Sequence, residues 1–574
     1  MKKLLIVLLC GLFSGAQAQK FETLFEKSGG TKTPPYRDIV DFYQQLDKAS
    51  GKLLLKTMGP SDAGFPLHLV LFSNDGKFDP AAWHRQKKTV ILINNGIHPG
   101  EPDGIDASML LLRDLVTGAK KIPDNVALAV IPVYNIGGCL NRSPFYRVDQ
   151  NGPEEFGFRG NSQNLDLNRD FIKCDSKEAR SFAEIFHTVD PDIFIDNHVS
   201  DGADYQHVMT LISSQHNKLG GAMGEYLNKE MEPALYASMK ERGYDLVPYV
   251  NFFGDTPDNG WPEFFDAPRY SSGYATLWHT FGFTVETHML KPYDQRVKSN
   301  YVLMESFCQF ASKNAETIQS LRSQAIAQAL GQSQFPISWE LDRSQWKEIV
   351  FKGYTAGRKP SGVSGLPRLY YDRTKPYEKT VKLYNYYKPS VLVQKPVAYI
   401  IPQGWWKVID LLKINRVAMR TLTRDTLIEV QVTRIQDYKA APRPFEMHHL
   451  NSDVKTTSTK QKMLFRKGDY WVSLNQSANR FLMEVLEARG PDSYFAWNFF
   501  DAILQQKEGY SNYMFEDEAA AWLQSHPDVK QKLEQRRQSD SSFAKSARAQ
   551  LDFVFENTPY IEPDYLRYPI YRVE

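Results

Sequence analysis

The chain has 574 residues, 69 Lys and Arg against 67 Asp and Glu, and a formal net charge of +2. That length exceeds one ordinary domain and predicts two or three. With 42% hydrophobic and 24% charged residues, wholesale disorder is excluded, and the near-neutral balance excludes a generally basic nucleic-acid binder.

Lys2 and Lys3 precede an apolar run from Leu4 to Phe13, and Ala16-Gln17-Ala18 has the small-residue pattern of a cleavage site. Residues 1–18 therefore read as a secretory signal peptide, and the mature chain is expected to be exported, periplasmic or secreted. Cys10 raises the alternative of lipidation, but Leu8-Leu9 lack the small residue expected before a lipidated cysteine. Without Lys2 and Lys3 the chain holds 67 basic and 67 acidic residues. No later stretch has the ~20 apolar residues of a membrane span. Cys139, Cys174 and Cys308 remain, an odd number that rules out a full disulfide framework. One bridge between Cys139 and Cys174, or three buried thiols, both fit the sequence.

Ile39 to Leu46 has helical spacing. Leu53-Leu54-Leu55 is strand-like before a predicted turn at Gly59-Pro60, and Leu67 to Phe72 follows. Thr89 to Ile93 and Val126 to Val133 are continuously apolar, as strands buried on both faces are. Asp103 to Leu115 and Ser176 to His187 read as helices, the second with Ser176 as N-cap. Ile193-Phe194-Ile195 and Phe281 to Val285 are short buried strands. Strands alternating with helices predict an α/β domain over residues 19–330, with a largely parallel central sheet.

Beyond residue 330 prolines recur at 336, 360, 367, 376, 389 and 396. Strand-like pieces such as Ser390 to Val393 and Thr426 to Val432 lie between or after them. Arg480 to Glu487 and Glu516 to Leu523 are helical. Residues 331–574 read as an accessory region of strands and helices carrying no recognisable chemistry.

The chemistry concentrates in four pieces. In Asn95-Gly96-Ile97-His98-Pro99-Gly100-Glu101, an imidazole and a carboxylate three residues apart lie between a buried strand and a helix. Such a turn can aim both at one Zn²⁺, and α/β folds place sites at the carboxyl ends of strands. By itself the pair specifies little. Catalytic zinc takes three protein ligands and keeps one position open. His198, after Ile193 to Asn197, is the natural third, with His207 in reserve and His187 less well placed. Asn168-Arg169 offers an amide beside a planar guanidinium, suited to a substrate carboxylate. Arg159 could reach a developing oxyanion, and Asp166 could fix a ligand imidazole's tautomer. Glu286, after the run Phe281 to Val285, is a costly place for a carboxylate unless it is used, and it suits a general base.

Together these pieces resemble the zinc carboxypeptidase family of the carboxypeptidase A type, over about residues 50–300, which implies a mixed, largely parallel eight-stranded sheet flanked by helices and followed by an accessory region. The resemblance carries His98, Glu101 and His198 as ligands of one Zn²⁺, Asn168 and Arg169 for the terminal carboxylate, and Glu286 as base. It gives Tyr270, or else Tyr274, as the substrate-binding tyrosine. Gly59-Pro60-Ser61 and Pro66-Leu67-His68-Leu69 are similar to the family's entry segment, while Asp170 stands where the family usually has Asn. The implied activity is hydrolysis of the C-terminal amide bond of a peptide substrate with a free C-terminus, with Arg159 and the metal stabilising the oxyanion. A deacylase or cell-wall peptide amidohydrolase of the same fold, and an inactive peptide-binding relative, are the alternatives. A serine hydrolase is disfavoured because no G-x-S-x-G occurs.

Overall fold

A computed structural model describes residues 21–252 and 255–574, so the expected signal peptide lies outside the described residues. Eight strands form the central sheet: β1 (Leu53–Pro60), β2 (Pro66–Phe72), β3 (Thr89–Asn94), β4 (Val126–Ile131), β5 (Ile193–Ser200), β6 (Met209–Ser213), β7 (Val247–Pro248) and β8 (Phe281–His288). Their order is β1-β2-β4-β3-β5-β8-β6-β7. The pairs β3–β4, β3–β5, β5–β8 and β6–β7 are parallel, and β1–β2, β2–β4 and β6–β8 are antiparallel. The sheet is thus mixed and largely parallel, as the family resemblance implies.

Every residue of β3 and β4 is buried. Helices α1 (Tyr36–Ala49), α2 (Asp103–Thr117), α3 (Lys177–Val189), α4 (Ser271–Leu277), α5 (Tyr293–Lys313) and α6 (Ala315–Gly331) accompany the sheet. The Ser176 side chain accepts from the Ala179 amide and starts α3. Gly104 lets the first turn of α2 approach β5, since a Cβ there would lie 2.3 Å from Asn197 Cβ.

Two expectations need correction, and one open choice is settled. β1 runs on to Pro60, with a register shift between Thr57 and Pro60 in place of the predicted turn at Gly59-Pro60. The strands expected at 193–195 and 281–285 are each eight residues long. They pair with one another continuously from Phe281–Ile193 to His288–Ser200, so their backbone groups stay bonded well past the apolar run. The cysteines form no bridge: Cys139, Cys174 and Cys308 are buried free thiols.

The C-terminal part begins with β9 (Gln334–Leu341), and its pieces belong to much longer strands. β10 (Lys347–Pro360) and β11 (Pro367–Tyr384) form one long antiparallel hairpin, and β12 (Tyr387–Gln394) pairs with β9. A second sheet holds β13 (Ala398–Ile401), β14 (Thr426–Ala440), β15 (Asn451–Phe465), β16 (Tyr470–Ser473) and β17 (Tyr571–Val573). Helices α7 (Trp406–Ile414), α8 (Asn479–Leu486), α9 (Asn512–Ser525), α10 (Pro527–Ser539) and α11 (Ala547–Glu556) accompany it. Arg269 Nε lies 2.7 Å from the buried Asp492 carboxylate, one of several bonds joining this part to the first. No helix among the described residues is long and apolar enough to cross a membrane.

Candidate active site

Three neighbouring strands deliver the site. The turn after β3 carries His98 and Glu101, β5 carries His198, and β8 carries Glu286 directly beside His198 in register. Gly96 makes the turn with φ of 64°, a conformation glycine adopts at little cost. His198 and Glu286 lie inside their strands, where the sequence suggested positions just beyond the ends.

One donor atom each from His98, Glu101 and His198 lies within 4.8 Å of the others, and all three side chains are buried. His98 Nδ1 stands 3.3 Å from Glu101 Oε1, and His198 Nδ1 stands 3.2 Å from Glu101 Oε2. A tetrahedral site with bonds of ~2.1 Å separates its donors by ~3.4 Å. His98 Nδ1 is buried without a hydrogen-bond partner, a need that a coordinated cation would satisfy. The opposite nitrogens are occupied: His98 Nε2 donates to Asp166 Oδ1 at 2.8 Å and His198 Nε2 to Asp196 Oδ2 at 2.9 Å. Each carboxylate so fixes the tautomer that leaves Nδ1 free to ligate. The donor set therefore fits zinc.

The charges are strongly coupled. Burial alone would raise the Glu101 carboxyl, but Arg147 and His98 hold it well below the usual range. Burial likewise opposes ionisation of Asp166, and His98 and Arg159 more than offset it. Burial disfavours a charged His198, yet Asp196 and Glu101 raise it well above an ordinary imidazole. Glu286 differs. Burial pushes its carboxyl up to about 8; His198 opposes the shift and the like charge of Glu101 adds to it. Among the described residues Glu286 has no salt-bridge partner within 4 Å, and the charges that act on it most are His198 and Glu101.

These groups line one cavity of about 350 Å³ together with Arg159, Asn168, Arg169 and Tyr270. Arg159 reaches Asp166 Oδ2 through two nitrogens at 3.0 and 2.9 Å and Glu101 Oε1 at 3.4 Å. Arg169 lies over the Tyr270 ring, 4.7 Å from its centroid, and Tyr270 packs edge-on against Phe264. Asn168 Oδ1 accepts from the Ser271 amide at the start of α4. Tyr274 is buried and bonded to Asn415 Oδ1 at 2.7 Å, away from the cavity lining, so of the two candidate tyrosines Tyr270 is the one that lines the cavity. His207 is engaged elsewhere, through the Asp245 carbonyl and the Lys352 amide. His187 faces Tyr274.

Sequence reasoning missed four residues. Arg147 donates to Glu101 Oε1 and to the Val199 carbonyl, yet it comes from a loop with no periodic signal. Asp201 and Tyr249 line the cavity from similar segments. Glu446 belongs to the C-terminal region, where no chemistry was expected, and it accepts from the Asp166 amide at 2.8 Å. It sits in the tight turn between β14 and β15, where Glu446 and Met447 both have positive φ. The Asn-Gly or Asp-Gly pair that usually marks such a turn is absent.

Residues 39–223 match the zinc carboxypeptidase (peptidase M14) family profile. Carboxypeptidase 2 of Trichophyton rubrum is 26% identical over 178 residues, 30% of each chain. Probable carboxypeptidase 2 of Trichophyton verrucosum (strain HKI 0517) is 28% identical over 137 residues, 23% of each. The matched stretches thus span under a third of either fungal protein. Among solved structures, the metallo-carboxypeptidase from Burkholderia cenocepacia aligns at 15% identity with a TM-score of 0.37, covering 48% of this chain and 69% of that one. Carboxypeptidase A from Helicoverpa armigera aligns at 14% identity with a TM-score of 0.38, covering 50% and 74%. By that profile match, residues 39–223, which hold His98, Glu101 and His198, are similar to the zinc carboxypeptidase family.

Proposed function

We propose that the chain is a zinc metallocarboxypeptidase that hydrolyses the C-terminal amide bond of peptides, with one Zn²⁺ held by His98, Glu101 and His198. The observation that carries this reading is the shared cavity: the three-donor cluster, an unpaired carboxylate and a pair of arginines face one space. Bound zinc supplies Lewis acidity, polarising a carbonyl and acidifying water. Glu286, which has no cation partner, accepts a proton from the attacking water and returns it to the leaving amine. Arg169 and Asn168 hold the substrate's terminal carboxylate, and the Tyr270 ring under the guanidinium fixes its plane. Arg159, anchored on Asp166, presents its remaining donors to the oxyanion. The expectation of export supports a peptide substrate met outside the cytoplasm.

The test digests a peptide library with the full chain while zinc is measured by mass spectrometry. Release of single C-terminal residues, abolished by C-terminal amidation, together with one zinc per chain is expected. Equal cleavage of amidated and free peptides would overturn the carboxylate-capture roles and the exopeptidase reading.

A further inference from the structure

The hairpin of β10 and β11 carries a charge the rest of the chain does not. Residues 343–388 hold eleven Lys and Arg against three Asp and Glu, in a protein otherwise near balance. At its base the hairpin is anchored: Phe351, Val381 and Leu383 are buried in one cluster with Tyr205 and Trp261. Several basic residues below the tip find partners, such as Lys352 with Asp245, Arg373 with Asp204 at 2.7 Å and Lys379 with the Asp258 carbonyl at 2.7 Å.

Toward the tip the pattern reverses. Arg358, Lys359 and Arg368 are exposed and have no salt-bridge partner among the described residues. Lys359 and Arg368 stand directly opposite one another across the ladder, an arrangement that repels unless something anionic neutralises it. Lys359 lies over the Tyr370 ring on the same face. The β14–β15 hairpin treats its charges differently, pairing Lys455 with Asp437, Lys460 with Glu429 and Lys439 with Asp453 within 3.0 Å.

The tip is an ordered turn. The Ser361 amide donates to the Leu366 carbonyl at 2.8 Å, and Ser361 Oγ accepts from the Val363 and Ser364 amides. This built turn holds Val363 fully exposed and Leu366 two-thirds exposed, flanked by Pro360 and Pro367. An apolar tip between unneutralised basic residues, with a tyrosine behind them, matches the layers of an anionic bilayer surface: acyl boundary, phosphate and interface. A soluble polyanion would use the charges but give Val363 and Leu366 nothing to bury against.

We propose that the β10–β11 hairpin docks the protein on anionic lipid surfaces, with Val363 and Leu366 entering the interface and Arg358, Lys359 and Arg368 meeting phosphates. This is independent of the peptidase reading. The experiment pellets the full chain with vesicles of phosphatidylcholine alone, or with about 30 mol% phosphatidylglycerol. Pelleting with the anionic vesicles only, weakened by high salt, is expected. The triple variant R358Q/K359Q/R368Q should lower partitioning about a hundredfold, near fivefold per charge. Val363→Asp should lower it about tenfold, with the melting temperature of both variants unchanged. Equal pelleting with both vesicle types, no pelleting, or wild-type partitioning by both variants would overturn the proposal. So would retention on a heparin column without vesicle binding, which would assign the hairpin to a soluble polyanion.

Discussion

Asp166 is the node of the site, and replacing it separates two functions that the wild-type carboxylate performs at once. Its Oδ1 accepts from His98 and its Oδ2 from Arg159. Asp166→Asn leaves one acceptor and introduces an N–H donor, so one partner meets a donor facing a donor. Arg159 is 46% exposed and can turn to water, whereas His98 is 2% exposed and cannot. The amide oxygen therefore stays with His98 and Arg159 is released. Losing a carboxylate behind a ligand imidazole costs 10–100-fold in metal affinity; with its hydrogen bond kept, Asp166→Asn should sit near tenfold and Asp166→Ala, which loses the bonds from His98, Arg159 and the Asn168 amide, near a hundredfold. That difference is about 1.4 kcal/mol. The Arg159 contact itself, half in solvent, contributes under about 1 kcal/mol to stability, so neither variant should unfold for that reason. Competitive titration against a zinc chelator measures the affinity without relying on turnover. Rates on blocked dipeptides should fall further than zinc loss explains, since Arg159 no longer faces the oxyanion. Zinc affinity within about twofold of wild type in both variants would refute the role of Asp166 behind His98.

Glu286→Gln should keep fold and zinc while lowering kcat by 10²–10⁴-fold, and a zinc-loaded variant with near wild-type turnover would sink the proposed mechanism. Arg169→Ala should cost roughly 10- to 150-fold in kcat/KM on substrates with a free carboxylate and almost nothing on amidated ones; equal losses on both would remove Arg169 from carboxylate capture. Glu446→Ala removes one bond to the Asp166 amide, so a KM increase of a few fold with an unchanged Tm is expected from about 1 kcal/mol of lost positioning; unchanged KM would show the loop holds itself. Asp106 is buried in the first turn of α2 and its carboxyl is pushed up to about 7, chiefly by burial, against 3.8 when exposed. A raised acid binds its proton more tightly when folded, so its contribution is intact below about pH 4 and declines as pH rises through 7. Between pH 5 and 8 the wild type should lose about 2–3 kcal/mol relative to Asp106→Asn; chemical unfolding at both pH values measures this, and a constant difference would refute the shift.

The site was legible where a run of apolar residues ended in unusual polar ones. Burying Thr89 to Asn94 demands a strand, and His98 and Glu101 follow it directly; Ile193 to Ile195 did the same for His198. The true ends of β5 and β8 were hidden because each strand pairs with the other, a tertiary fact that lets Asn197, His198 and Glu286 continue the ladder despite their polarity. Arg147 was invisible because its position depends on a loop folding back onto Glu101 across 46 residues. The long hairpins looked like fragments because prolines punctuate them, yet Pro360 and Pro367 face one another at a hairpin end and Pro376 stands beside a register shift.

The bond from the Asp166 amide to Glu446 spans 280 positions of sequence, and that between Arg269 and Asp492 spans 223. A chain made from its N-terminus completes the sheet and its ligands long before either partner exists. The loop that holds Asp166, Asn168 and Arg169 gains its bond to the β14–β15 turn only when that turn arrives. Order of synthesis thus becomes a form of timing: the support that the C-terminal region lends to the Asp166 loop is among the last to be added.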